Sequence, residues 1–211
     1  MKSQNLDQRI KEKARLLFFS KGLKGVSMDD IAGVAGVSKK TIYKSFEDKH
    51  ELVNSVVRDL ILSHDRLFEE SRVTAQNAID EVIRQDSGPL EILTNIRHSF
   101  FYDLEKFFPS AWDEIERYKL RLHNSIIRNL EWGTHEEFYR YDIDKTFIAD
   151  LRLYQLGNCL QPQFITTQKW GLRRLLLEFT RLYLYSITTE KGKNLLDVYL
   201  EKQVTDPIVR I

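Results

Sequence analysis

The chain has 211 residues, 42% of them apolar, with 32 Lys and Arg against 31 Asp and Glu and a single cysteine. This length and apolar content suffice for one small and one medium domain with a buried core, and the lone Cys159 excludes an intrachain disulfide. Charge is uneven: residues 1–50 hold eleven basic and six acidic side chains, a balance of +5, while the other 161 residues carry −4, so the N-terminal end is the one suited to a polyanion.

Spacings of three and four dominate and period-2 alternation is nearly absent, which predicts an all-α fold of about nine or ten helices. Leu6, Ile10, Ala14 and Leu17 mark a first helix that Gly22 ends. Residues 27–50 read as two short helices, N-capped by Ser27 and Ser38 and joined by a turn at Gly36, with Asp30 in capping-box position to Ser27. Ala32 and Ala35 keep the first of them thin, and Ile31, Val37, Ile42 and Phe46 supply an inward face. This is the pattern of a helix-turn-helix, whose second helix enters the major groove of DNA. A fourth helix starts at Asp48, with Glu51 in capping-box position, and carries Leu52, Val53, Val56, Val57, Leu60, Ile61, Leu67 and Phe68 along one side to about residue 71.

Further along, a short helix is expected over 75–84, followed by punctuation at Gly88-Pro89. Helices are expected over 90–107 and 111–132, separated at Pro109-Ser110, and 133–141 reads as irregular. Residues 144–158 and 169–188 form a second strong pair around the loop Gln161-Pro162-Gln163, and Gly192 precedes a last amphipathic segment, 195–199. The most apolar window, 172–187, is broken by Arg173, Arg174, Glu178 and Arg181 and falls short of the roughly 20 apolar residues of a membrane span. No membrane partner is expected, and with no signal-like apolar stretch at the start the expected location is the cytoplasm.

Outward on the second helix of the pair are Lys39, Lys40, Thr41, Tyr43 and Lys44, and no acid lies between Asp30 and Glu47. Cations, a hydroxyl and an aromatic suit phosphates and base edges. The bland alternatives are a solvated face for the lysines and a structural role for Tyr43. Ser27, Lys49 and His50 lie at helix starts, where backbone N–H groups hold phosphates.

Over residues 8–55 the chain resembles the N-terminal domain of TetR-like (TetR/AcrR) transcriptional repressors. The residues that carry the resemblance are Ala14, Leu17, Phe18 and Gly22, then Val26 to Ala32, Ala35 to Ser38, Thr41-Ile42-Tyr43 with Phe46, and Asp48 to Leu52. Two departures bear on operator sequence, because members commonly have glycine at the position of Lys40 and an aromatic or histidine at Lys44 or Ser45. The resemblance implies a helix-turn-helix DNA-binding domain at 1–50, here with Ser27, Ser38, Lys39, Lys40, Thr41, Tyr43, Lys44, Lys49 and His50 as DNA contacts. It implies a helical regulatory and dimerisation domain at 51–211, the helix over 48–71 connecting the two.

In the second domain, helix 169–188 has a broad apolar girdle, which needs covering on several sides. Homodimerisation through the last two long helices is the family's use of that position, here with Leu151, Tyr154, Leu172, Leu175, Leu176, Phe179, Leu182 and Tyr183 at the interface; a purely intradomain core is the alternative. Aromatics are dense between 100 and 141, and the resemblance implies a pocket there for a small apolar or aromatic ligand. Its expected lining is His98, Phe101, Leu104, Trp112, Tyr118, Leu122, His123 and Ile126, with Asn95 and Arg97 as further polar groups, although aromatics at helical spacing also serve as plain core.

The five histidines form no His-x-x-x-His, one cysteine cannot make Cys-x-x-Cys, and no phosphate-cradling loop or nucleophile elbow is present. No enzyme activity, metal or cofactor is therefore expected, and Cys159 reads either as a redox sensor or as buried and inert. The expected function is a sequence-specific DNA-binding regulator, a repressor released from a palindromic operator by a small molecule; the alternative is a helical protein–protein interaction module with no operator.

Overall fold

In the computed structural model, residues 2–87, 96, 98–159 and 172–205 are described, with side chains at 5–85, 96, 99–158 and 173–201. Among them are ten helices: α1 Lys2–Lys21, α2 Met28–Ala35, α3 Lys39–Ser45, α4 Lys49–Thr74, α5 Ala78–Ser87, α6 His98–Phe107, α7 Pro109–His135, α8 Lys145–Cys159, α9 Leu172–Ile187 and α10 Glu190–Thr205. The fold is all-α; the described residues contain no strand beyond an isolated antiparallel bridge between Tyr139 and Thr188. None of the described helices is long and apolar enough to cross a membrane. The expected features at Gly88-Pro89, Asn95, Arg97 and 161–163 lie outside the described residues.

Packing divides the chain into two compact units, 1–65 with 91–119 and 66–90 with 120–211. In the first, Ile10, Ala14, Leu17 and Phe18 turn one face of α1 onto α2, and Gly22, at φ 79°, ends α1 with its N–H on the Phe18 carbonyl at 2.9 Å. Ile31, Ala35, Ile42 and Phe46 join that core, and so do Leu52, Val53, Val56 and Val57 of α4 and Phe100, Leu104 and Phe108 from the α6–α7 corner. The helix-turn-helix therefore shares its interior with residues some fifty positions downstream. Pro109 opens α7 as its first residue, where a missing N–H is harmless, so this helix starts and ends beyond the expected 111–132.

The second unit has its own core of Ala78, Ile79, Leu130, Tyr139, Tyr183, Leu184, Ile187 and Leu196. Buried among these is a polar network. Asn129 donates to the Ala78 carbonyl at 2.9 Å and to Glu81 at 2.7 Å, it accepts from the Tyr139 hydroxyl at 3.2 Å, and Arg128 pairs with the fully buried Glu81. Full satisfaction is what makes such burial tolerable. The expected irregular stretch at 133–141 is helical to His135 and then turns, with Glu137 at φ 61°. The last segment is also longer than expected. Gly192 lies inside α10 instead of before it, and glycine is required there since a Cβ would overlap the Phe138 carbonyl oxygen.

Candidate nucleic-acid interface

Each cap of the α2–α3 pair is formed as its residue types require. The Asp30 N–H donates to Ser27 Oγ at 3.1 Å, while the Ser27 hydroxyl and N–H donate to Asp30 Oδ2 at 2.6 and 2.8 Å, and these two donors hold the Asp30 carboxyl below its ordinary range. Gly36 takes φ 63° and ψ 39°, and the following Val37 N–H reaches the Ala32 carbonyl at 3.1 Å. Ser38 caps α3 by accepting from the Thr41 N–H at 3.1 Å. Arg9 of α1 donates to the Ala35 carbonyl at the end of α2.

These contacts divide the expected DNA-facing residues into two groups. Ser27 and Ser38 are engaged as caps, with Thr41 Oγ1 2.8 Å from Ser38 Oγ. Lys39 donates to Asp29 at 2.9 Å, which raises its pKa. Lys49 donates to the Leu23 carbonyl at 2.6 Å and is half-buried, so desolvation lowers its pKa against the pull of Asp103. The His50 ring lies 4.8 Å from that of Phe108. Lys40, Tyr43 and Lys44 are exposed and make no hydrogen bond or ion pair among the described residues. Lys40 and Lys44, four apart, share one face of α3.

Two short helices locked by a capping box, a left-handed glycine and a serine cap, with an acid-free cationic face turned outward on the second, define a helix-turn-helix DNA-binding protein. Residues 10–56 match the family described as bacterial regulatory proteins, tetR family. The chain is similar to the transcriptional repressor KstR2 of Mycobacterium tuberculosis, 25% identical over 181 residues that cover 74% of this chain and 85% of the repressor. A regulator from Pseudomonas putida, TtgR, is 35% identical over 69 residues, a third of each chain. Among solved structures, a TetR-family regulator from Agrobacterium tumefaciens superposes with a TM-score of 0.75 over 89% of this chain and all of that one, at 16% identity. The ketosteroid transcriptional regulator KstR2 of M. tuberculosis superposes with a TM-score of 0.63 over 87% and 95%, at 17% identity. Residues 10–56 thus form a TetR-like helix-turn-helix, and the protein is a transcriptional regulator that binds DNA through it.

The expected ligand residues do not converge on one described site. Leu104 is fully buried core of the first unit, where Phe101, Trp112 and Tyr118 pack against the same cluster, and Tyr118 is hydrogen-bonded to His64. In the second unit His123 pairs with Asp150 at 3.2 Å, while Leu122 and Ile126 line a cavity of about 30 Å³. Phe68, Val82, Gln85, Asn129, Arg152, Leu156 and Tyr183 complete its wall. Sequence reasoning missed Arg152, a 3% exposed guanidinium that donates to Thr180 at 2.6 Å and lies 4.8 Å from the Tyr183 ring. An arginine in a helix gives no sign of burial unless its cross-chain partners are known. The His98, Cys159 and Leu172 side chains lie outside the described ones.

The expected dimer residues also split. Leu176 and Tyr183 are each only 6% exposed within the protomer, as a girdle covered on more than one side requires. Leu151 and Tyr154 on α8 are 42% and 70% exposed and Leu182 on α9 is 61% exposed, with Leu175 and Phe179 half-buried. Phe147, also exposed, extends the α8 row at spacings of four and three.

Proposed function

We propose that the protein is a cytoplasmic homodimeric repressor that holds a palindromic operator and leaves it when a small apolar or aromatic molecule binds. In this reading residues 1–50 supply the DNA-contacting surface and 51–211 the regulatory and dimerisation parts, and no reaction is catalysed. The observation that carries it is the α3 face: Lys40, Tyr43 and Lys44 are exposed and uncommitted among the described residues on a helix otherwise fixed by caps and core. The M. tuberculosis relative is a repressor, which supports repression over activation.

Two α3 helices related by a twofold axis suit half-sites about one helical turn apart, roughly 34–36 Å. The exposed row Phe147, Leu151, Tyr154 on α8, with exposed Leu182 and half-buried Leu175 and Phe179 on α9, supports pairing through these two helices. The cavity beside Leu122 and Ile126 supports an effector site in the second unit, but about 30 Å³ admits a water-sized guest, whereas benzene occupies an engineered cavity of about 150 Å³. A ligand must therefore displace side chains, and it shifts the population toward the state in which they have moved. Coupling of about 1–3 kcal/mol lowers operator affinity about 5- to 150-fold.

A mobility shift on fragments flanking the gene, with and without a library of small apolar compounds, tests the whole reading. A duplex bound in preference to random competitor and released by a compound supports it. Binding to no duplex at modest ionic strength overturns it.

A further inference from the structure

The α3 face carries a chemical bias that limits which bases it can read. From Ser38 to Phe46 there is no carboxylate and no carboxamide. Adenine is ordinarily read by a bidentate Asn or Gln at N6 and N7, and the cytosine amine by an acidic acceptor. Neither partner exists on this helix. The hydroxyls that accept a hydrogen bond are mostly committed: Ser38 Oγ takes the Thr41 N–H, Thr41 Oγ1 lies 2.8 Å from Ser38 Oγ, and Ser45 Oγ donates to Asp7.

The cations sort in the same way. Lys39 is turned to Asp29 and Lys49 to the Leu23 carbonyl, which leaves Lys40 and Lys44 as the ammonium groups of this helix and its flank that no described residue engages. An ammonium only donates. The major-groove edge that offers two adjacent acceptors is that of guanine, through O6 and N7.

Resting on the DNA-binding reading above, we propose that Lys40 and Lys44 are the specificity-determining residues and that each reads a guanine in the operator half-site. Four residues of α-helix rise about 6 Å, and successive bases on one strand are about 3.4 Å apart. The two guanines therefore fall within about two base steps of each other, on one strand or across the pair. Tyr43, exposed beside them, presents an aromatic ring to a thymine methyl group rather than a bidentate polar pair.

The test is selection of bound duplexes from a random library by the full-length protein, followed by affinity measurements on the winner. The expected result is a palindrome with two guanines within two steps in each half-site. Replacing each with 7-deazaguanine, which lacks the N7 acceptor, weakens binding about five- to a hundredfold. Lys40→Met and Lys44→Met, both on exposed positions, each abolish the preference at one guanine, with circular dichroism unchanged. Two results overturn the proposal while leaving operator binding intact. One is a selected half-site without such guanines. The other is variants that weaken all duplexes alike and reduce the log–log salt slope by about one each, the behaviour of a phosphate contact. Failure to enrich any duplex overturns the DNA-binding reading itself.

Discussion

His64, in the middle of α4, is a histidine that folding keeps neutral. Burial lowers its pKa to about 4 against the opposing field of Asp65, and its Nδ1 is hydrogen-bonded to the Tyr118 hydroxyl. In the unfolded chain the same group titrates near 6.5, so between about pH 6.5 and 4 the unfolded state binds the extra proton. Stability is fully present above 6.5 and falls as pH drops toward 4, by on the order of 3 kcal/mol in total. Urea unfolding at pH 7, 6 and 5 should show that decline, and His64→Gln should flatten it; parallel curves for the two proteins would refute the assignment. Gly192→Ala tests a different local constraint. The new Cβ collides with the Phe138 carbonyl, and since backbone cannot move aside as a flexible side chain can, a loss of about 2–3 kcal/mol is expected in thermal unfolding. At this scale the sequence was legible where partners lie three or four positions apart, as for Ser27 and Asp30. It was silent where they do not: His64 and Tyr118 are 54 apart, and Glu81 and Asn129 are 48 apart.

Among the elements, α2 and α3 were readable almost residue for residue because caps, glycine turn and apolar spacing all reside within the segment itself. Removing one cap, Ser27→Ala, should lower stability by about 1 kcal/mol, measurable as a shifted urea midpoint with unchanged slope. The α8–α9 pair was readable in existence but not in facing. Periodicity marked a broad apolar girdle on α9, yet which part of it turns inward depends on partners elsewhere in the chain: Tyr183 joins the core of Ala78, Ile79 and Leu130, Leu176 packs near Leu156, and Leu182 is left outward. The two groups should respond differently to substitution. Leu151→Glu and Leu182→Glu leave the protomer folded and yield monomers in analytical ultracentrifugation, whereas Tyr183→Ala destabilises the protomer by about 3 kcal/mol or more. If the glutamate variants sediment as dimers, pairing runs through some other face. The cavity lining was half legible: Leu122 and Ile126 belong to it, but the aromatic density that suggested a pocket mostly feeds the core of the other unit.

For the molecule as a whole, the dimer proposal sets how affinity responds to salt. If each subunit neutralises about four phosphates, operator affinity falls with a log–log slope near −7, at about −0.9 per phosphate. Titration of the natural operator at several potassium chloride concentrations checks this, and a slope near −3.5 would mean that only one module is engaged. The near-neutral net charge concealed this capacity, which became visible only when the first fifty residues were counted separately. What composition could not show is that those fifty residues share their interior with segments further along the chain. Their interior is closed by Val53 and Val57 of α4 and by Phe100, Leu104 and Phe108 from beyond residue 98, and Asp103 accepts the Lys24 N–H at 3.0 Å in the turn after α1. Anyone wishing to graft this reader onto another regulator would have to transplant two stretches of chain that are remote in the gene, and a chimera spliced at residue 50 would inherit the lysines without the scaffold that aims them.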